Sequence, residues 1–318
     1  MCFQSELRAK KSRDLSREKL ENFYRKHSQS IMAVNLTGGE PFLRPFFTDL
    51  LELLDSFGII TTINTNGTLI SSRIADRIAA LKRLRSINIS IDGPAPVHDR
   101  IRRKKGSHQA AMNSVKLLRS RIPAGKVQIN TMIMPENIEL MDSHILSLDN
   151  IEIKKVELIF PGSYVKQELA RSEHILSSCG LPFGVTVTPD KEILKNSFVS
   201  SARVVKELIK KYEHMQIKVV PDSFLKDPDL FLSEETSGYS VSCSKIRRKE
   251  IRIDGSGNFV FCDTLRFPLG DSSEYDSLDS LYSNLTLQRV KKAISHSLPS
   301  CKRCCKSTSL KRHESNET

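Results

Sequence analysis

No run of about 18 apolar residues occurs in this chain, so nothing in it reads as a membrane-spanning helix. Its start, MCFQSELRAKK, lacks the apolar core of a signal peptide, which argues against export. Acidic residues are in deficit: 37 Asp and Glu stand against 49 Lys and Arg, a formal charge of +12. The surplus gathers in RAKKSR (8–13), RIRRKK (100–105), KIRRK (245–249) and the tail from Lys302 to Arg312. Such runs attract anions, nucleic acid among them. Aromatic residues, however, make up only 6% of the chain, and none interleave regularly with the basic runs. Charge alone therefore does not mark an RNA or DNA binder, and solvated basic faces are the simpler reading. A soluble, cytoplasmic protein is expected, with no membrane partner and with nucleic acid as an open alternative.

Cysteine is scarce where the chain begins and crowded where it ends. Of the seven cysteines, Cys2 stands near the start and Cys179 alone in the middle. Cys243, Cys262, Cys301, Cys304 and Cys305 fall in the last quarter. In a cytosolic chain such thiols seldom form structural disulfides, and their clustering points to metal.

The first half repeats one unit. Apolar, β-branched runs stand at IMAVNL (31–36), IITTI (59–63), INISI (87–91), VQINTMI (127–133) and KKVELIF (154–160). Helically spaced segments lie between them. Phe46, Phe47, Leu50, Leu51, Leu54 and Phe57 make one helix face that closes at Gly58. Ser71 or Ser72 caps a second helix, burying Ile74, Ile78, Leu81 and Leu84, and Ser107 caps a third that carries Val115 and Leu118. A helix in each gap between strands predicts parallel βα units. Polar, Gly-containing stretches follow the first three strands, at the carboxyl ends where ligands of such folds bind. Periodicity leaves open a doubly wound sheet.

Beyond residue 165 the pattern loosens into a helix near 200–212, a short strand (217–220) and a polar stretch, DPDLFLSEETSGYS, that reads as a linker. KEIRI and NFVFC then flank DGSG, a hairpin signal. Cys243 and Cys262 on this hairpin and the Cys301-Lys302-Arg303-Cys304 turn make a thiolate set that suits iron–sulfur or zinc.

Gly38-Gly39-Glu40-Pro41, Asn64-Thr65-Asn66-Gly67 and Ser90-Ile91-Asp92-Gly93-Pro94 end three successive strands. His98-Asp99, Arg102 and Gly106-Ser107 follow. In this order the residues resemble the radical S-adenosylmethionine (SAM) family, over roughly residues 1–165. The resemblance implies a partial (β/α)6 TIM-like barrel, here without its first strand, and an enzyme that cleaves SAM at a 4Fe–4S cluster to a 5′-deoxyadenosyl radical. It implies that Gly38, Gly39 and Glu40 hold the SAM amino group, that Ser90 and Arg102 hold its carboxylate, and that Asp92 lies near its ribose. Thr65 and Asn66 would face substrate or cofactor.

Cys2 fits the third cysteine of the family's CxxxCxxC loop. Met1 would then be an internal methionine, with one strand and two cluster cysteines upstream and an incomplete ligand set, so the chain as written would be inactive. Cys243, Cys262, Cys301 and Cys304 resemble the twitch/SPASM module, which carries an auxiliary 4Fe–4S cluster; Cys305 is a substitute for Cys304, and Cys179 is expected in an apolar site. The expected organisation is a barrel over 1–165, a flanking segment and linker over 166–235, and a small β-hairpin/helix cysteine module over 236–318. The implied partners are a peptide, carbohydrate or small-molecule substrate and an electron donor such as flavodoxin or ferredoxin. The contrasting reading is a non-catalytic barrel whose zinc-bound basic tail binds an anionic partner such as RNA.

Overall fold

Strict alternation of side chains builds the first half of the chain. In the computed structural model, which describes residues 15–160, 166–181, 195–233, 235–262, 265, 267–295, 298–302, 304 and 307–312, six strands form one sheet. They are β1 (Ala33–Leu36), β2 (Ile60–Thr65), β3 (Leu84–Ser90), β4 (Val127–Met132), β5 (Lys155–Ile159) and β6 (Gln216–Val220). Their spatial order is their sequence order, and β1 to β5 pair in parallel. A doubly wound sheet reverses its order at a switch point; this one never does. The architecture is an α/β partial barrel, and the open alternative is excluded.

Helices α1 (Arg17–His27), α2 (Phe47–Ser56), α3 (Ser72–Ala80), α4 (Ala95–Arg102), α5 (Ser107–Arg119) and α6 (Met141–Asp149) accompany these strands. The apolar spacing of α2 buries Phe47, Leu50, Leu51 and Leu54. It closes at Gly58, whose φ of 74° is the left-handed stop that glycine adopts without strain. Tyr24 of α1 packs in one cluster with Leu50, Leu54 and Ile59. Ser71 caps α3 by accepting from the Ile74 N–H. Leu81 and Leu84 are buried past that helix, Leu84 as the first residue of β3.

Two local expectations change. Gly106, not Ser107, is the N-cap of α5. The capping work falls to Asp99 of α4, whose Oδ1 accepts from Ser107 Oγ (2.9 Å) and the His108 N–H (2.8 Å) and whose Oδ2 accepts from the Gly106 N–H (2.6 Å). A carboxylate has more acceptor sites than a hydroxyl, so it satisfies several orphan donors at once. The polar stretch after β6, read as a linker, contains the short helix α9 (Pro228–Leu232; α7 and α8 are given below). Leu230, Phe231 and Leu232 are buried, and Asp227 caps the helix through the Leu230 N–H.

Residue contacts divide the chain into two compact units: one of Ser16–Ile159 with Glu207–Lys218, the other drawing on Phe160–Lys206 and Val219–Thr318. Helices α7 (Lys166–Ser178) and α8 (Lys195–Lys211) follow β5. In the second unit β7 (Tyr239–Cys243) pairs antiparallel with β11 (Ser307–Arg312). The hairpin forms, β8 (Arg252–Ile253) pairing antiparallel with β9 (Asn258–Phe261) and β10 (Phe267–Asp271) adding to β9, but Cys243, expected on it, lies outside it at the end of β7, and Cys262 follows β9. Among the described residues no helix is long and apolar enough to cross a membrane.

Candidate active site

The polar loops at the carboxyl ends of β1, β2 and β3 are tied together by buried acids. Glu40 is only 9% exposed. Its Oε1 accepts from Thr65 Oγ1 (2.7 Å) and the Phe42 N–H (3.2 Å), and its Oε2 accepts from the Asn66 N–H (2.7 Å). One carboxylate thus fastens the loop after β1 to the end of β2. Asn66 folds its own loop by accepting at Oδ1 from the Thr68 N–H and hydroxyl, both at 2.8 Å. Gly67 follows with φ 73°, and a Cβ there would meet Ile89 Cγ2 at 2.8 Å. Gly38 and Gly39 are exposed, and a Cβ at Gly38 would touch nothing within 4 Å.

Asp92 acts in the same way beyond the end of β3. It is 1% exposed; its Oδ2 accepts from Arg102 Nε at 2.6 Å, and its Oδ1 from the Met132 N–H at 2.9 Å. Its N–H donates to His98 Nδ1 (3.0 Å), and its carbonyl accepts from Asn137 Nδ2 (2.8 Å). Both carboxylate oxygens are therefore engaged by protein donors. Ser90, half-buried, ends β3 opposite Asn130. The Arg102 side chain is 33% exposed. Among the described residues only its Nε is bonded, which leaves the terminal N–H groups of the fork for an anion.

Three histidines surround this corner. His98 and His144 are buried, and burial holds both near a pKa of about 4, so each is neutral at neutral pH. His108, edge-on to His98 with ring centroids 5.6 Å apart, is lowered by burial too. Accepting at Nδ1 places the His98 proton on Nε2. His144 Nε2 lies 3.1 Å from Thr131 Oγ1, which donates to the Ile91 carbonyl at 2.7 Å. None of these roles was read from the sequence.

SAM bears an ammonium and a carboxylate on one carbon. The exposed glycine loop and the remaining lone pairs of Glu40 suit the first, and the free end of the Arg102 fork suits the second. The residues present fit the cofactor.

In the second unit the four expected cysteines share one neighbourhood. Burial pushes the Cys301 thiol well above its ordinary pKa, and Cys304, Cys262 and Cys243 push it further. Burial raises Cys243 as well, opposed by N–H donors from Ile246 and Lys245 at the start of helix α10 (Ser244–Arg247). Cys262, at φ 68°, accepts from the Leu265 N–H at 3.3 Å. Backbone N–H groups aimed at sulfur are what tunes iron–sulfur ligands. Among the described residues, no three His, Cys, Asp or Glu side chains are closed to metal-ligating spacing. The thiol donor set fits a cluster in composition and neighbourhood. Cys2 and Cys305 lie outside the described residues, and Cys179 is half-buried beyond the end of α7.

Between Cys301 and Cys304 sits Lys302, fully buried. Its Nζ lies 3.1 Å from Oε1 of the equally buried Glu168 on α7, and donates to the carbonyls of Ser233 and Glu235 at 2.7 Å.

Residues 1–148 match a family model described as the Radical SAM superfamily. Mycofactocin maturase MftC of Mycobacterium tuberculosis (strain CDC 1551 / Oshkosh) is 34% identical over 113 residues, which are 35% of this chain and 28% of the maturase. The AdoMet-dependent heme synthase of Oleidesulfovibrio alaskensis is 34% identical over 106 residues, 32% of this chain and 26% of the synthase. The chain thus spans well under two thirds of these relatives. Among solved structures, anSMEcpe with bound AdoMet and Kp18Cys peptide superposes with a TM-score of 0.63 at 15% identity, covering 94% of this chain and 85% of that one. Streptococcus suis SuiB bound to precursor peptide SuiA gives 0.59 at 16%, covering 88% and 62%. At such identities these two show the fold alone.

Proposed function

We propose, from the premise that residues 1–148 carry a radical SAM domain, that this protein is a radical SAM oxidoreductase or modifying enzyme. The observation that carries the proposal is the Asp92–Arg102 corner: a buried carboxylate aims a guanidinium whose outer N–H groups are unbonded among the described residues. In this reading Arg102 and Ser90 take the SAM carboxylate, while Gly38, Gly39 and Glu40 take its amino group. Asn66 and Asp92 shape the same pocket, Asp92 through Arg102 and Met132. Cys2 is the residue this chain offers to the cluster that meets SAM. When bound there, SAM supplies the 5′-deoxyadenosyl radical that removes a hydrogen atom from substrate.

Cys243, Cys262, Cys301 and Cys304 hold an auxiliary 4Fe–4S cluster in a SPASM-like module; when bound, it supplies an acceptor for the electron left on the oxidised substrate. A peptide substrate is favoured by the relatives and structural neighbours, a maturase and two peptide-bound enzymes among them. An electron donor such as flavodoxin or ferredoxin and a cytoplasmic setting complete the proposal.

The test uses the whole natural reading frame, reconstituted anaerobically with iron and sulfide. Brown protein that binds SAM and releases 5′-deoxyadenosine on reduction is the expected result. Colourless protein with stoichiometric zinc, no acid-labile sulfide and no SAM binding would overturn it.

A further inference from the structure

Parallel sheets are ordinarily covered on both faces, and their strands then read as continuous apolar runs. This sheet is mainly apolar on one face and mainly polar on the other. Ile63, Ile87, Ile129, Val156 and Leu158 are buried there. The other face carries Asn35 on β1, Asn64 on β2, Asn88 on β3, Gln128 and Asn130 on β4, Glu157 on β5 and Lys218 on β6. Register sets Asn64 opposite Asn88, Asn88 opposite Gln128, and Asn130 opposite Glu157. Five carboxamides and one ion pair thus cross all six strands.

From β4 to β1 their hydrogen bonds run one way. Asn64 Nδ2 donates to Asn35 Oδ1 at 2.5 Å, and Asn88 Nδ2 donates to Asn64 Oδ1 at 3.0 Å. Asn130 Nδ2 reaches the same Asn64 oxygen at 3.4 Å, and Gln128 Nε2 donates to Asn130 Oδ1 at 2.9 Å. Glu157 is taken by Lys218 (2.7 Å) and Gln128 (3.2 Å), so the row carries no net charge. Three groups are left over among the described residues, the Oε1 of half-buried Gln128 being one. Asn88 is 7% exposed, and its Oδ1 is buried without a hydrogen-bond partner. The exposed Asn35 uses its oxygen and keeps its N–H2 free. A buried acceptor without a donor is costly, and proteins keep few of them.

We infer that this carboxamide row is a substrate subsite that grips a neutral, amide-bearing segment and turns carboxylates away. The inference rests on the radical SAM reading and adds the chemistry the row selects. A secondary amide offers an N–H to Asn88 Oδ1 and a carbonyl to Asn35 Nδ2. A carboxylate only accepts, so at Asn88 it sets oxygen against oxygen, and no unpaired cation in the row offsets its charge.

The test needs neither iron nor SAM, so its outcome is separate from that of SAM cleavage. The full chain, labelled with 15N at asparagine, is titrated with Ac-Gly-Asn-Gly-NH2 and with Ac-Gly-Asp-Gly-NH2. Expected are saturable shifts in the side-chain amide signals of Asn64, Asn88 and Asn130 with the first peptide, and affinity at least about tenfold weaker for the second. Asn88→Leu should lose binding by about tenfold or more with little change in Tm, since the partnerless acceptor it removes offsets the lost donation to Asn64 Oδ1, which keeps Asn130 Nδ2. If that variant does not fold, Asn35→Ala, at an exposed position, should weaken binding at unchanged Tm. Equal affinity for the two peptides, unchanged binding by the folded variant, or no saturable shift would each reduce the row to an inter-strand ladder and overturn the subsite.

Discussion

Asp92 and Arg102 meet through Oδ2 and Nε at 2.6 Å, and the second oxygen of the same carboxylate holds the Met132 N–H of β4. The arginine is therefore aimed by a buried acid that is itself fixed to the sheet. Arg102→Ala should weaken SAM binding by about 1.5–3 kcal/mol, the worth of a charge-assisted contact, or roughly tenfold to a hundredfold by calorimetry. Asp92→Asn should also weaken it, by releasing the guanidinium. Unchanged affinity in Arg102→Ala would remove that residue from the site.

Glu40 should matter to folding before it matters to any ligand. Glu40→Ala strands the Thr65 hydroxyl and the Asn66 N–H, a loss of about 1.5–3 kcal/mol to be read from urea unfolding. A change below about 0.5 kcal/mol would show that water replaces the carboxylate.

Gly67 combines two constraints, a left-handed backbone and a neighbour 2.8 Å from where its Cβ would be. Gly67→Ala should destabilise by about 1–3 kcal/mol. Gly38→Ala, which meets open space, should leave Tm nearly unchanged. Equal effects of the two would refute the packing argument.

Acid should loosen the first unit. His98 and His144 have folded pKa values of about 4, below the 6.5 of a free imidazole, because of burial. Between these limits the unfolded chain binds more protons than the folded one, so stability is full above about pH 6.5 and falls as pH drops toward 4. Thermal melts across that window should show the decline, and His144→Gln should make it shallower. A flat profile would mean that these imidazoles are solvated.

In the second unit, Cys262→Ala or Cys301→Ala should each cost about four irons per chain relative to the unsubstituted protein, whereas Cys179→Ala should cost none. Iron and acid-labile sulfide assays after anaerobic reconstitution decide this. Iron that survives loss of Cys301 would place the cluster elsewhere.

The strands were legible because β-branched runs recur between helices with clear apolar spacing, and five of the expected runs match β1 to β5. The α5 cap was not, because its acceptor, Asp99, belongs to the preceding helix and only folding brings it there. α9 hid inside a stretch dominated by Asp, Ser and Glu, where three adjacent apolar residues are too few to show a period. The glycine loops and the Asp92 to Arg102 interval could be placed at strand ends from sequence. That Asp92 spends its oxygens on Arg102 and Met132 could not, since one donor lies ten residues away and the other forty. The carboxamide row left a trace nonetheless: Asn64, Asn88 and Asn130 each sit at one parity of strands otherwise rich in isoleucine.

Lys302 and Glu168 impose a rule on how this sequence can change over time. Each is fully buried and neutralises the other, so replacing either one alone abandons a charge in the interior at a cost of about 3–5 kcal/mol, while exchanging both for apolar residues of similar volume is often tolerated. The two positions lie 134 residues apart and should nevertheless vary together among relatives: lysine with glutamate, or apolar with apolar. A lineage that keeps the cysteine turn can move between those states only by passing quickly through a poorly folded intermediate, which makes the pair a brake on drift around Cys301 and Cys304.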